Sequence, residues 1–111
     1  MNKTRFICRI DEIGDPGSRG FSLQDGEETI QGFVVRRDGQ FFGYRNQCPH
    51  TGVPLDWVEH QFLDADGALI QCATHDARFD IASGECLLGP CVGEVLQALE
   101  LEIFGDGLYL R

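Results

Sequence analysis

Basic residues are scarce: nine Lys and Arg stand against 18 Asp and Glu, a formal net charge of −9. The sequence pI is near 4.5. Nucleic acid is thereby excluded as a partner, because phosphate contacts need clustered Lys and Arg. No apolar run approaches the about 20 residues of a membrane span, so no membrane partner is expected. Met1 to Ile10 alternates polar and apolar residues and lacks the apolar stretch and small-residue cleavage site of a secretory signal. A cytoplasmic protein is therefore expected. Cysteine is present in an odd number, five, which argues against a fully disulfide-paired secreted scaffold. In a reducing compartment cysteine instead points to a metal or to small buried side chains. Repeats, low-complexity tracts and dividing linkers are also missing, so one domain over residues 1–111 is expected.

What is present is punctuation. Fourteen glycines recur at short intervals, the mark of an all-β domain with many tight turns. Arg5 to Ile10 reads as a strand and Asp15-Pro16-Gly17 as a turn. Phe33 to Arg37 and Phe41 to Arg45 are apolar-rich runs joined by Asp38-Gly39, a strong hairpin signal. Short strands are predicted at Leu69 to Gln71 and Arg78 to Ile81, the latter closed by Ser83-Gly84. Leu99, Leu101 and Ile103 alternate with Glu100 and Glu102, predicting a half-buried strand. Asp106-Gly107 then turns the chain into Leu108 to Arg111. Val92, Val95, Leu96 and Leu99 recur at helical spacing, but Pro90, Gly93 and the alternation that follows favour a strand there. His60 sits beside Glu59 in a polar loop and reads as a solvated side chain. Cys8 reads as core. Trp57 reads as a lid packed on the domain or, alternatively, as an exposed docking anchor.

The chemistry lies in two short motifs, Cys48-Pro49-His50 and Cys72-Ala73-Thr74-His75. Each supplies one thiol and one imidazole, and each follows a predicted strand. Two separate loops can therefore grip one metal centre. Thiolates suit iron in a sulfide cluster. Neutral imidazole lowers the negative charge on its iron and raises the reduction potential above that of an all-Cys ferredoxin. Two Cys and two His also suit tetrahedral zinc, which leaves a structural zinc site as the rival reading. In a chain of this size a bound metal also adds to stability.

The pattern resembles the Rieske iron–sulfur family, with its Cys-x-His, a spacer and Cys-x-x-His. The likeness extends to Gly52, Pro54 and Leu55, to Arg78-Phe79-Asp80 with Ser83-Gly84-Glu85, and to Gly89-Pro90 in the place of a proline-bearing cover loop. It spans roughly Phe33 to Leu110. The resemblance implies an antiparallel β-sandwich of stacked small sheets with two cluster-binding loops, about residues 46–56 and 72–80, at one tip. The cover loop would be about residues 86–93. It also implies one [2Fe–2S] cluster, with Cys48 and Cys72 on the inner iron and His50 and His75 on the outer one.

High-potential members of that family carry an additional cysteine in each ligand loop, forming a disulfide beside the cluster. The matching residues here are Val53 and Thr74, so that bridge cannot form. Such members also place Ser and Tyr hydroxyls near the sulfurs, where this chain has Ala77 and Phe79. A low potential for a Rieske centre is the implication. Some features depart from the pattern. Asp76 stands where Gly is common, and 21 residues separate His50 from Cys72. The excess falls in the loop from Trp57 to Gly67. Cys91 stands where Pro is usual, as a buried small residue or as a redox-active thiol near Cys86.

The function implied is a ferredoxin: a single-electron carrier, not an enzyme by itself. It would act between a flavin reductase and an oxygenase or other terminal oxidoreductase, as a monomer in transient complexes. The chain is too short to include an oxygenase catalytic domain. Alternatives are a small subunit of a larger reductase, of the nitrite-reductase kind, and a cluster-based redox sensor. An acidic surface suits a partner with a basic docking face.

Overall fold

The Asp38-Gly39 signal builds the central hairpin. The computed structural model describes residues 5–49, 55, 60–72 and 77–111. In it β3 (Glu28–Arg37) and β4 (Gln40–Arg45) pair antiparallel, from Gly32↔Arg45 to Arg37↔Gln40. Asp38 and Gly39 take positive φ, 54° and 76°, the pair of left-handed residues that a two-residue hairpin needs. The Asp15 carboxylate accepts both turn amides, Asp38 N–H and Gly39 N–H, at 2.8 Å each.

The remaining strands are β1 (Arg5–Arg9), β2 (Gly17–Asp25), β5 (Ile70–Gln71), β6 (Arg78–Phe79), β7 (Cys86–Leu88), β8 (Ala98–Leu99), β9 (Leu101–Phe104) and β10 (Gly107–Leu110). They form three antiparallel sheets, ordered β1-β10-β9, β2-β3-β4-β8 and β5-β6-β7. Helix among the described residues is confined to one 3-10 turn, Ile10–Glu12.

Successive residues of a strand point to opposite faces. Phe33, Val34 and Val35 are nevertheless all fully buried, so β3 is covered on both sides. Phe33 and Val35 pack with Tyr44, Phe62, Ile70, Phe79 and Cys86, joining the central sheet to β5-β6-β7. Val34 packs on the other face with Cys8, Ile13 and Leu108, joining it to β1-β10-β9. The architecture is thus the expected stack of small antiparallel sheets. Phe33 and Phe62 stack face to face, 4.3 Å between centroids and 7° between planes. Cys8 is core, and burial pushes its thiol pKa up.

Three expectations change, and one strand, β2, is new. β2 escaped the sequence pattern because its glycines and polar residues carry no clean alternation; its Gly20 lies against the Phe62 ring, where even a Cβ would sit 3.3 Å away. The strand predicted from Leu99 to Ile103 breaks at Glu100: β8 pairs with β4 in one sheet and β9 with β10 in another. The chain passes between layers there, which alternation cannot reveal. Between Cys91 and Gln97 there is neither helix nor ladder strand, only a turn and a single bridge, Glu85↔Val95. Finally, His60 is not a merely solvated side chain. Its Nδ1 accepts the Gly20 N–H at 3.0 Å, its carbonyl accepts the Ser18 hydroxyl at 2.7 Å, and Phe62 N–H donates to that same hydroxyl at 3.1 Å.

Candidate metal centre

Hydrogen bonds tie together the chain on either side of each cysteine motif. After β4, the Asn46 side-chain Oδ1 accepts the Leu55 N–H at 2.7 Å, which brackets the segment containing Cys48. Asn46 N–H itself donates to the Gln31 carbonyl at 2.9 Å, fixing the loop to the sheet. After β5, Cys72 N–H donates to the Ala77 carbonyl at 2.8 Å, which brackets the second motif. Asn and Asp side chains commonly close such turns, so an Asn two positions before Cys48 was a signal that the sequence reading passed over.

Cys48, Cys72, Leu55 and Ala77 are all buried and share one apolar cluster with Cys86 and Cys91. The fold therefore brings the two motif cysteines into a common interior. His50 and His75, together with Gly52, Val53, Pro54, Trp57, Thr74 and Asp76, lie outside the described residues.

The segment after β7 closes over this region from the other side. Gly89 adopts φ +102°, and a Cβ placed on it would stand 2.9 Å from Ala77 Cα. Only glycine permits both that backbone angle and that approach. Cys91 raises its thiol pKa through burial first, then through the Cys86 thiol and the nearby Cys48 sulfur. The segment thus packs on Ala77 through Gly89, and Cys91 shares the buried cluster of Cys48. Beside it, an open groove of about 300 Å³ lined by Arg45, Gln47, Cys48, Pro49, Val95 and Gln97 leads in from the surface to Cys48.

Asp64 ties the loop before β5: its Oδ1 accepts Ala68 N–H at 3.0 Å and Leu69 N–H at 3.3 Å. Its Oδ2 meets Arg78 Nη1 at 3.4 Å. Asp64 is nearly buried while Arg78 is partly exposed, and each unmet charge would be costly there. The pair joins the loop before β5 to β6, on either side of the Cys72 loop.

The donor chemistry fits an iron–sulfur group. Two thiolates brought together among apolar side chains are unfavourable unless a cation takes their charge. Ala77 and Phe79, both buried, bring no hydroxyl to that interior.

Stacked antiparallel sheets that carry two base-tied cysteine loops into one buried cluster define a small all-β metalloprotein domain. The chain belongs to the Rieske [2Fe-2S] domain family, which matches residues 4–102. The cofactor of such a domain is a single Rieske [2Fe–2S] cluster. The chain is 28% identical over 85 residues to the 3-phenylpropionate/cinnamic acid dioxygenase ferredoxin subunit of Photorhabdus laumondii, covering 77% of this chain and 72% of that one. It is 33% identical over 79 residues to the ferredoxin component of the alkene monooxygenase system of Xanthobacter autotrophicus, covering 71% of this chain and 58% of that one. The fold matches the ferredoxin of carbazole 1,9a-dioxygenase from Nocardioides aromaticivorans with a TM-score of 0.74 at 22% identity, covering 98% and 97% of the two chains.

Proposed function

We propose that this protein is a Rieske-type ferredoxin that carries single electrons from a flavin reductase to an oxygenase or a similar terminal oxidoreductase. It acts in the cytoplasm as a monomer, with no catalytic site of its own, and residues 1–111 form a single domain. Cys48 and Cys72 would hold one iron, and His50 and His75 the other. The observation that carries this reading is the convergence of Cys48 and Cys72, from two separately tied loops, in one buried cluster that a surface groove reaches. The bound cluster supplies reversible one-electron chemistry. The chain supplies the rest: Leu55, Ala77 and Phe79, all buried in the same cluster, would surround the sulfur ligands with apolar side chains. The oxygenase partner is supported by the relatives' names as ferredoxin components of dioxygenase and monooxygenase systems. Electron paramagnetic resonance of the dithionite-reduced protein tests the proposal. The expected signal is rhombic, with an average g value below that of an all-cysteine [2Fe–2S] centre. A colourless protein containing stoichiometric zinc would overturn it.

A further inference from the structure

Two thiols outside the proposed ligand set stand in direct contact. Cys86 Sγ and Cys91 Sγ are 2.7 Å apart, and both side chains are 1% exposed. The backbone holds them there. Cys86 N–H donates to the Glu94 carbonyl and Glu94 N–H to the Cys91 carbonyl, each at 2.9 Å. The segment between the cysteines is thus folded into a closed turn with both sulfurs inside it. Cys86 Sγ also lies 3.2 Å from the Leu88 carbonyl. A bonded sulfur pair sits at about 2.05 Å, so closing the bond moves the two atoms by less than about 1 Å.

We infer that Cys86 and Cys91 are a redox-active dithiol that hydrogen peroxide converts to a reversible disulfide, bracing the segment that packs on Ala77. The reaction balances in two steps. One thiol loses its proton, a step that burial of the pair slows, and attacks a peroxide oxygen; the O–O bond breaks, a sulfenic acid forms and one water leaves. The second thiol then attacks the sulfenic sulfur; the S–S bond forms and a second water leaves. Two thiols are oxidised by two electrons, the peroxide is reduced, and both thiol protons end in water. Leu87, Leu88, Gly89, Pro90 and Val92, the chain neighbours of the two cysteines, are exposed, so the pair sits in a surface segment that a reagent as small as peroxide meets first. This bridge would lie within one loop, not between the two motif loops, and the inference stands independently of the electron-carrier reading.

The chain makes the test clean. Trypsin cuts after Arg78 and next at Arg111, so one peptide, 79–111, holds Cys86 and Cys91 and no other cysteine; Cys48 and Cys72 fall together in 46–78. The intact cluster-loaded protein is treated with peroxide, denatured in iodoacetamide, digested and weighed. The expected 79–111 peptide takes no alkyl group and is about 2 Da lighter than the dithiol form, the two hydrogens lost. Dithiothreitol restores two alkylation sites. Backbone amides of residues 89–94 exchange more slowly in the oxidised protein. The substitution Cys91→Ser abolishes the shift. If that variant does not fold, the wild-type peptide mass decides alone. Two alkyl groups on 79–111, a cross-link to 46–78, loss of cluster absorption before any disulfide forms, or unchanged amide exchange would each overturn the inference.

Discussion

Tyr44 donates its hydroxyl to the Ile81 carbonyl at 2.6 Å from within the core, tying the central sheet to the turn after β6. Burial, with a contribution from the Asp80 carboxylate, raises its pKa from 10.0 to about 12. Between those values an unfolded chain gives up the phenolic proton while the folded one keeps it. The stability this group contributes is therefore complete below pH 10 and declines as pH rises toward 12. Tyr44→Phe is expected to cost about 1 kcal/mol at neutral pH and to flatten the alkaline decline, as urea titrations across pH would show. Cys48 belongs to the proposed ligand set. Cys48→Ser should remove the visible absorption and lower the melting temperature, because metal-binding energy feeds into folding. Ala77 is buried with Cys48 and Cys72 in one group of side chains. With no hydroxyl at Ala77 or Phe79, the midpoint potential is expected at or below about −150 mV. Ala77→Ser should move it positive in a redox titration, by adding a donor beside a ligand loop. A shift to more negative potential would count against that account.

At the scale of elements, β2 is an outer strand of the four-stranded sheet, and an outer strand offers unpaired amides to other chains. His60 covers it by accepting the Gly20 N–H, with Ser18 linking the same loop through its hydroxyl. The long spacer between the motifs thus has a structural use. It carries Phe62 into the core against Phe33 and His60 onto the sheet edge. His60→Ala should destabilise the fold by about 1–2 kcal/mol in chemical denaturation, through the amide left without its partner. An unchanged midpoint would mean that water replaces the imidazole at no cost. Neither His60 nor β2 was legible beforehand. The edge contact joins residues 40 apart in sequence, and nothing in a polar loop reports which strand it will meet. Signals that are local were legible. Asp38-Gly39 fixed its hairpin through positive φ, and alternation found β9. The cysteine motifs could be read because ligand spacing within a loop is itself local. The division of one alternating run into β8 and β9 was hidden, since both halves show the same period and only layer stacking separates them.

For the whole molecule, charge and apolar surface act together. Seven large apolar side chains are strongly exposed among the described residues. Phe6 and Phe104 flank Tyr109 edge to face, at 5.5 and 5.7 Å, and Ile103 lies on the same sheet. The other four, Leu87, Leu88, Val92 and Val95, fall within nine residues of chain, and Val95 lines the groove that reaches Cys48. An apolar group beside the proposed redox centre, on a molecule of net charge −9, fits brief docking of a partner whose own contact face is apolar with a basic rim. Long-range attraction would bring the two together and the apolar contact would hold them. The two contributions separate experimentally. Raising ionic strength from about 0.01 to about 0.3 M shortens the screening length from about 30 Å to well under 10 Å, and should slow electron transfer from the reductase. The double variant Leu88→Ser, Val92→Ser leaves the charge untouched. It should raise the KM for the carrier about tenfold, equivalent to about 1.4 kcal/mol, with the midpoint potential and visible spectrum unchanged. A shifted potential would place these side chains in the cluster's environment instead of at the encounter, and an unchanged KM would move the docking face elsewhere on the molecule.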